Sequence, residues 1–304
     1  MNNIDNKPTK KRGNKKAQLF TTSQYIVPQQ LLSKVVGKVA ASKNPLVTKA
    51  FVHTFAKVYG IKMNDYARPD LDDYDSFNDF FTRELADNAR PIDQTPNGIV
   101  SPADGMVSQI GRINREQILQ AKGREYDIGH LLASIEEGRY FQNGTFATVY
   151  LAPSNYHRVH MPFDGTLIKT RYLPGTLFSV NNTTADNVLD LFARNERMVC
   201  LFDTEFGTAA VVLVGAMIVA GIETVATGKM KRSTTTIQEQ THHIPLKKGD
   251  ELGRFYLGST AIVILPEAAN TQWQVGLQHE SVIKMGELMG TASVSSQKMA
   301  GANI

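Results

Sequence analysis

From Ile99 to about Met289 the chain is broken by Gly, Pro, Asp and Asn into short apolar or alternating runs, too short for long helices and suited to strands. A β-rich body over residues 96–290 is therefore expected. The run Ala261-Ile262-Val263-Ile264-Leu265 reads as a strand with both faces buried. The longest apolar run, Ala209 to Ile222, contains two glycines and falls short of the ~20 residues that cross a bilayer as a helix. Its Val, Ile and Gly content predicts a buried strand pair or a bent strand. One short helix is expected at 185–194, and no element is assigned between Arg112 and Tyr140.

Two segments of this body echo each other. Pro102-Ala103-Asp104-Gly105-Met106-Val107 and Pro162-Phe163-Asp164-Gly165-Thr166-Leu167 share the form Pro-x-Asp-Gly-x-aliphatic, a turn running into a strand. Similar turns occur in the flattened β-sandwiches of biotin- and lipoyl-carrying domains. The expected fold is α+β: a hybrid or duplicated flattened β-sandwich preceded by amphipathic helices.

Those helices occupy residues 21–95. Leu31, Leu32, Val35, Val36 and Val39 form one stripe at helical period, with Lys34 and Lys38 on its flank. After Asn44-Pro45, a second stripe holds Val47, Ala50, Phe51, Phe55 and Val58, flanked by Lys49, His53 and Lys57. Apolar faces bordered by lysines suit both core packing and a membrane surface. A third helix starts at Ser76, whose hydroxyl caps it with Asp79 in the first turn; Phe77, Phe80, Phe81 and Leu85 turn inward, and it ends before Pro91.

Charge is concentrated at one end. Of the net +4, residues 1–20 carry about +5, through Lys7, Lys10, Lys11, Arg12, Lys15 and Lys16 against Asp5, so the remainder is near −1. That balance argues against a nucleic-acid-binding body. It leaves 1–20 as a basic disordered arm able to meet an anionic membrane surface. Residues 291–304 read as a polar tail. Cys200, the single cysteine, excludes an internal disulfide framework and sits among apolar neighbours.

Three segments carry chemistry. Gly258-Ser259 sits between Leu257 and Thr260, just before the apolar run; a glycine there leaves its carbonyl unshielded, so the Ser259 hydroxyl could approach the preceding peptide bond. Tyr156-His157-Arg158-Val159-His160-Met161-Pro162 supplies two histidines that face opposite ways on an extended chain, which argues for two jobs and against one shared metal; no metal is expected. Asp104 supplies a carboxylate. Together they offer an orienting acid, a base and a hydroxyl to activate.

These segments, with 191–197, Val214-Gly215-Ala216, Ile222-Glu223-Thr224 and Gly253-Arg254-Phe255, resemble bacterial phosphatidylserine decarboxylases from about Gln24 to about Met289. The resemblance implies a self-processing lyase of phospholipid biosynthesis. His160, oriented by Asp104, takes the proton of Ser259, whose oxygen attacks the Gly258 carbonyl. Elimination then cuts the chain between 258 and 259 into a large and a small chain, and residue 259 ends as a covalent pyruvoyl group, a pyruvate-derived cofactor. That ketone forms a Schiff base with phosphatidylserine and accepts the electrons released with carbon dioxide, His157 protonates the product carbon, and phosphatidylethanolamine leaves. The expected setting is peripheral, on the cytoplasmic side of the cell membrane, with room for a homo-oligomer.

Phosphate-binding residues are not identified by sequence, though His242, His243, Lys229, Lys231 and Arg232 are loose candidates. Two rivals are carried: an uncut Ser-His-Asp hydrolase using Ser259, and a noncatalytic carrier or lipid-binding sandwich whose attachment lysine would be Lys229.

Overall fold

The computed structural model describes residues 24, 36–121, 124–216, 221–230, 235–256 and 258–293. The basic arm, most of the first predicted helix, Leu257, Lys231, Arg232 and most of the polar tail lie outside the described residues. Among the described residues, 36–40 are helical, and two further helices, α1 (Pro45–Tyr59) and α2 (Phe77–Phe81), precede the body. The strands that follow are β1 (Gly98–Val100), β2 (Gly105–Arg112), β3 (Gln117–Ala121), β4 (Arg124–Asp127), β5 (Thr145–Leu151) and β6 (Arg158–His160). Next come β7 (Gly165–Leu173), β8 (Arg197–Thr204), β9 (Gly207–Gly215), β10 (Ile222–Thr224), β11 (Gly228–Lys229) and β12 (Gln238–Leu246). The last are β13 (Glu251–Phe255), β14 (Ser259–Leu265), β15 (Gln272–Trp273), β16 (Val282–Ile283) and β17 (Leu288–Thr291).

The spine is an eight-stranded antiparallel sheet in the order β12-β7-β8-β9-β14-β5-β2-β16. β14 lies inside it, paired to β9 and β5, and every one of its residues is buried. The alternation of a strand divides its side chains between two cores. Ala261, Val263 and Leu265 join Val159, Ile222, Leu252 and Phe255 under the four-stranded sheet β11-β10-β13-β6, whereas Ile262 and Ile264 face Ile118, Tyr126, Phe178 and Phe192. An apolar run without polar alternation is what a sheet covered on both faces requires. The long run from Ala209 resolves into β9 and β10, in different sheets, and no described helix is long and apolar enough to cross a membrane.

The Pro-x-Asp-Gly echo is structural. Read inward from either edge, the second strand of the large sheet, β2 or β7, is the one that follows such a turn. Both ladders slip at the same offset, between Val107 and Gln109 and between Leu167 and Lys169. Each turn also meets a matching partner: Asp104 Oδ1 accepts from Met285 N at 2.9 Å, and Asp164 Oδ1 from Lys248 N at 2.7 Å. Those partner turns contain Gly286 and Gly249 at φ 86° and 92°, a conformation that suits glycine. Their amides donate to Ser101 O and Met161 O at 3.0 and 2.9 Å. The two halves of the large sheet thus repeat one strand-and-turn unit on either side of the β9–β14 pair.

Three local expectations change. In α1 the buried line is Thr48, Val52 and Ala56, with Phe51 and Phe55 at its border, so Val47, Ala50 and Val58 face outward. α2 is capped by Ser76, whose Oγ accepts from Asp79 N at 3.1 Å, but it stops at Phe81; Leu85 instead bridges to Tyr66. The 185–194 segment is two short helices, Asn182–Ala185 and Leu191–Arg194, separated where Asp190 takes a left-handed φ of 53°. The unassigned stretch holds the β3–β4 hairpin and two short helices, Ile128–Leu132 and Ile135–Tyr140.

Candidate active site

Ser259 opens β14 with its ladder partners Leu151 and Gly215 on either side. Burial on both faces leaves its Oγ with no hydrogen-bond partner among the described residues. An unpaired buried hydroxyl is held at a cost of ~1–3 kcal/mol, so it begins destabilised relative to its solvated state. Gly258, immediately before it, has φ 38°, and a Cβ placed there would meet nothing closer than Ala216 Cβ at 3.8 Å. The step before Ser259 is therefore a left-handed backbone turn with room beside the Gly258 Cα.

His157 comes within the same region because its carbonyl accepts from Phe255 N at 3.0 Å, three residues ahead of Gly258. The ring is fully buried, and its centroid lies 4.1 Å from that of Phe81. Its Nδ1 is 2.8 Å from Asn155 O, and a carbonyl only accepts, so Nδ1 carries the proton and Nε2 bears a lone pair. That Nε2 has no partner among the described residues. Burial, aided by the nearby Arg83 cation, pushes the His157 pKa down to about 3.

His160 is occupied differently. Its Nδ1 lies 2.7 Å from Gly249 O and its Nε2 2.8 Å from the Tyr156 hydroxyl, which must donate by the same logic. Burial lowers its pKa, against partial support from the Gly249 carbonyl. The two histidines do face different surroundings, as their spacing in an extended segment implies.

Asp104 does not hydrogen-bond to either ring. Its carboxylate accepts from Arg90 Nε at 3.0 and 3.1 Å and from Arg90 Nη2 at 2.7 Å, in a pair whose side chains are both nearly buried. Its charge still reaches His160 and raises that ring's affinity for a proton. The backbone brings the two together, since His160 N donates to Pro102 O at 2.7 Å. The pair is thus juxtaposed and electrostatically coupled, with Arg90 and Tyr156 taking the direct hydrogen bonds.

Sequence reasoning missed Arg83, Arg90, Tyr66 and Tyr156. Three of these come from the segment after α1, which lies against the catalytic body: Arg158 Nε donates to Thr82 O at 2.8 Å, and its Nη1 pairs with Glu84 and Glu251, each at 2.9 Å. Only Tyr156 had a signal, its place beside His157. Among the loose phosphate candidates, Lys229 stacks its Nζ over the Tyr256 ring at 3.8 Å and His242 Nε2 lies 2.8 Å from Thr170 Oγ1, while His243 is exposed. No described group of three or more His, Cys, Asp or Glu could hold a metal ion.

A sequence profile described as phosphatidylserine decarboxylase matches residues 77–291, and one described as PSD matches residues 19–60. The chain belongs to the phosphatidylserine decarboxylase family. A phosphatidylserine decarboxylase proenzyme of Psychrobacter arcticus is 67% identical over 276 residues, which is 91% of this chain and 99% of that protein. Proteins of the same name from Acinetobacter baumannii and Acinetobacter baylyi are 57% and 52% identical, over 90% and 91% of this chain and 96% and 97% of their own lengths. The first profile runs from α2 to β17, a span that contains Asp104, His157, His160 and Ser259.

Proposed function

We propose that the chain is made as a precursor, cuts itself between Gly258 and Ser259, and then decarboxylates phosphatidylserine to phosphatidylethanolamine. The observation that carries this reading is the unpaired, fully buried Ser259 Oγ directly after a glycine in a left-handed turn of the backbone. In the first stage Ser259 Oγ bonds to the Gly258 carbonyl carbon, the peptide C–N bond breaks, and an ester remains. Loss of the Cα proton and of the ester carboxylate then cuts the chain, and the dehydroalanine left at 259 tautomerises to an imine that water hydrolyses to the ketone with loss of ammonia.

A pyruvoyl group at position 259 would fit these residues: the buried start of β14, between β5 and β9, would hold it away from water. It would supply a ketone that binds the substrate amine and draws off the electrons freed by carbon dioxide. His157 moves the proton. Its bare Nε2 is the ring nitrogen open to a proton, and because burial disfavours the imidazolium, a proton carried there passes readily to the product carbon.

His160, under the charge of Asp104, is the proposed base for the first stage. Taking the Ser259 proton requires the Tyr156 hydroxyl to release Nε2. A second assignment has one observation behind it: Ser259 Oγ and His157 Nε2 are both among the buried atoms without a hydrogen-bond partner in the described residues, whereas His160 Nε2 is engaged by Tyr156, which favours His157 as the base for both stages. Expression without any processing factor, followed by intact mass spectrometry, tests the scheme. Two chains are expected, the smaller blocked at its amino end, and an uncut chain with full activity would overturn it. Ser259→Ala should stay whole and inactive. His160→Ala should stay whole while His157→Ala cuts but turns over poorly; an uncut His157→Ala chain would select the second assignment.

The proposed setting is the cytoplasmic face of the cell membrane. Leu46, Val47, Val58 and Tyr59 of α1 are exposed, as is Lys57, while Lys49 and His53 are engaged by Asp72. Exposed apolar side chains with a lysine among them are suited to an anionic lipid surface.

A further inference from the structure

Arg83 is fully buried, and no described carboxylate lies within ion-pair distance of it. Its Nη2 donates to the Tyr66 hydroxyl at 2.9 Å and to the carbonyls of Ser154 and Asn155 at 3.2 and 3.3 Å; Nη1 donates to Phe80 O at 3.3 Å. The guanidinium lies over the Tyr66 ring at 4.2 Å, and Nε has no partner. Burying a cation without a counter-charge is costly, and a neutral side chain of similar length could fill this space. Its neighbour supplies a reason for keeping the charge: the Asn155 carbonyl that accepts from Arg83 Nη2 is the one that accepts from His157 Nδ1.

We infer that Arg83 is a positioning residue for His157: through the shared Asn155 carbonyl it holds the imidazole as the Nδ1–H tautomer and keeps the Nε2 lone pair available for proton transfer. The inference rests on the reading that His157 moves a proton during turnover. Groups facing the ring are Phe81 from α2, the Asn155 carbonyl, and Arg83, the one charged group acting on it among the described residues. The cation also discourages the ring from keeping a proton it has accepted, because like charge disfavours the imidazolium.

The test uses the full two-chain enzyme and two readouts. Imidazole ¹⁵N spectra of the wild-type protein at neutral pH should show His157 protonated at Nδ1 and bare at Nε2. An Nε2–H tautomer overturns the inference whether or not any variant folds. Arg83→Met should mix the tautomers and move the limb of kcat that His157 governs to higher pH, since the proton is then held more easily. Arg83→Lys keeps the charge but loses the fork, so its limb should stay near wild type while the tautomer loosens. An Arg83→Met enzyme with unchanged tautomer and unchanged limb would leave Arg83 a packing residue and end the proposal. The spectrum does not depend on turnover: a fully active His157→Ala enzyme would remove His157 from the reaction without altering it.

Discussion

A buried neutral histidine makes folding sensitive to acid, and His157 allows the size of that effect to be worked out. Its pKa is pushed to about 3 in the folded chain from an ordinary 6.5. The stability linked to this depressed pKa is complete above 6.5 and is lost as pH falls, because the unfolded ring takes up a proton that the folded ring refuses. At pH 5.0 the unfolded state gains a factor of about 30, or about 2 kcal/mol, while at pH 7.5 it gains almost nothing. The figure at pH 5.0 depends little on the folded pKa once that lies below about 4. The assay is urea denaturation of the uncut Ser259→Ala chain at both pH values, with and without His157→Gln. His160, shifted in the same direction, contributes to both and cancels. The His157 chain should lose about 2 kcal/mol more than the Gln variant between the two pH values. Equal losses would refute the argument, because they would mean the ring is hydrated or charged in the folded state.

The duplicated turns provide a matched pair of variants. In the Ser259→Ala background, Asp164→Asn should cost about 1 kcal/mol or less by urea denaturation, since it weakens one bond to Lys248 N at an exposed site. Asp104→Asn should cost about 3 kcal/mol or more, because it strands the nearly buried Arg90 guanidinium, and with Ser259 present it should also slow self-cleavage on a gel time course. Arg90→Leu breaks the same pair from the other side and should destabilise by a similar ~3–5 kcal/mol. Leu46→Glu with Val58→Glu should reduce sedimentation with anionic vesicles several-fold while leaving the rate on detergent-dispersed substrate unchanged; undiminished vesicle binding would remove α1 from the membrane contact.

The strand pattern, the Ser76 cap, the interior position of the Ala261–Leu265 run and the burial of Cys200 were all legible along the chain. Each depends on local periodicity or on a neighbour a few residues away, and these survive folding because the side-chain period of a strand or helix is set by its own backbone. The Pro-x-Asp-Gly turns and the Gly-Ser step were legible for the same reason: turn chemistry is local. The face of α1 that enters the core was not, since Phe51, Phe55, Lys49 and Lys57 fit either of two overlapping stripes and only packing against α2 selects Thr48, Val52 and Ala56.

What decides the chemistry is not local. Asp104 meets Arg90, Asn155 O meets Arg83, and His160 meets Gly249 O, partners separated by 14, 72 and 89 residues. A sequence states which groups can donate, accept or carry charge. The burial of His157, the engagement of His160 and the isolation of the Ser259 hydroxyl follow instead from which of those groups the packed sheets exclude from water and which they leave facing one another, and that is a property of the tertiary structure alone.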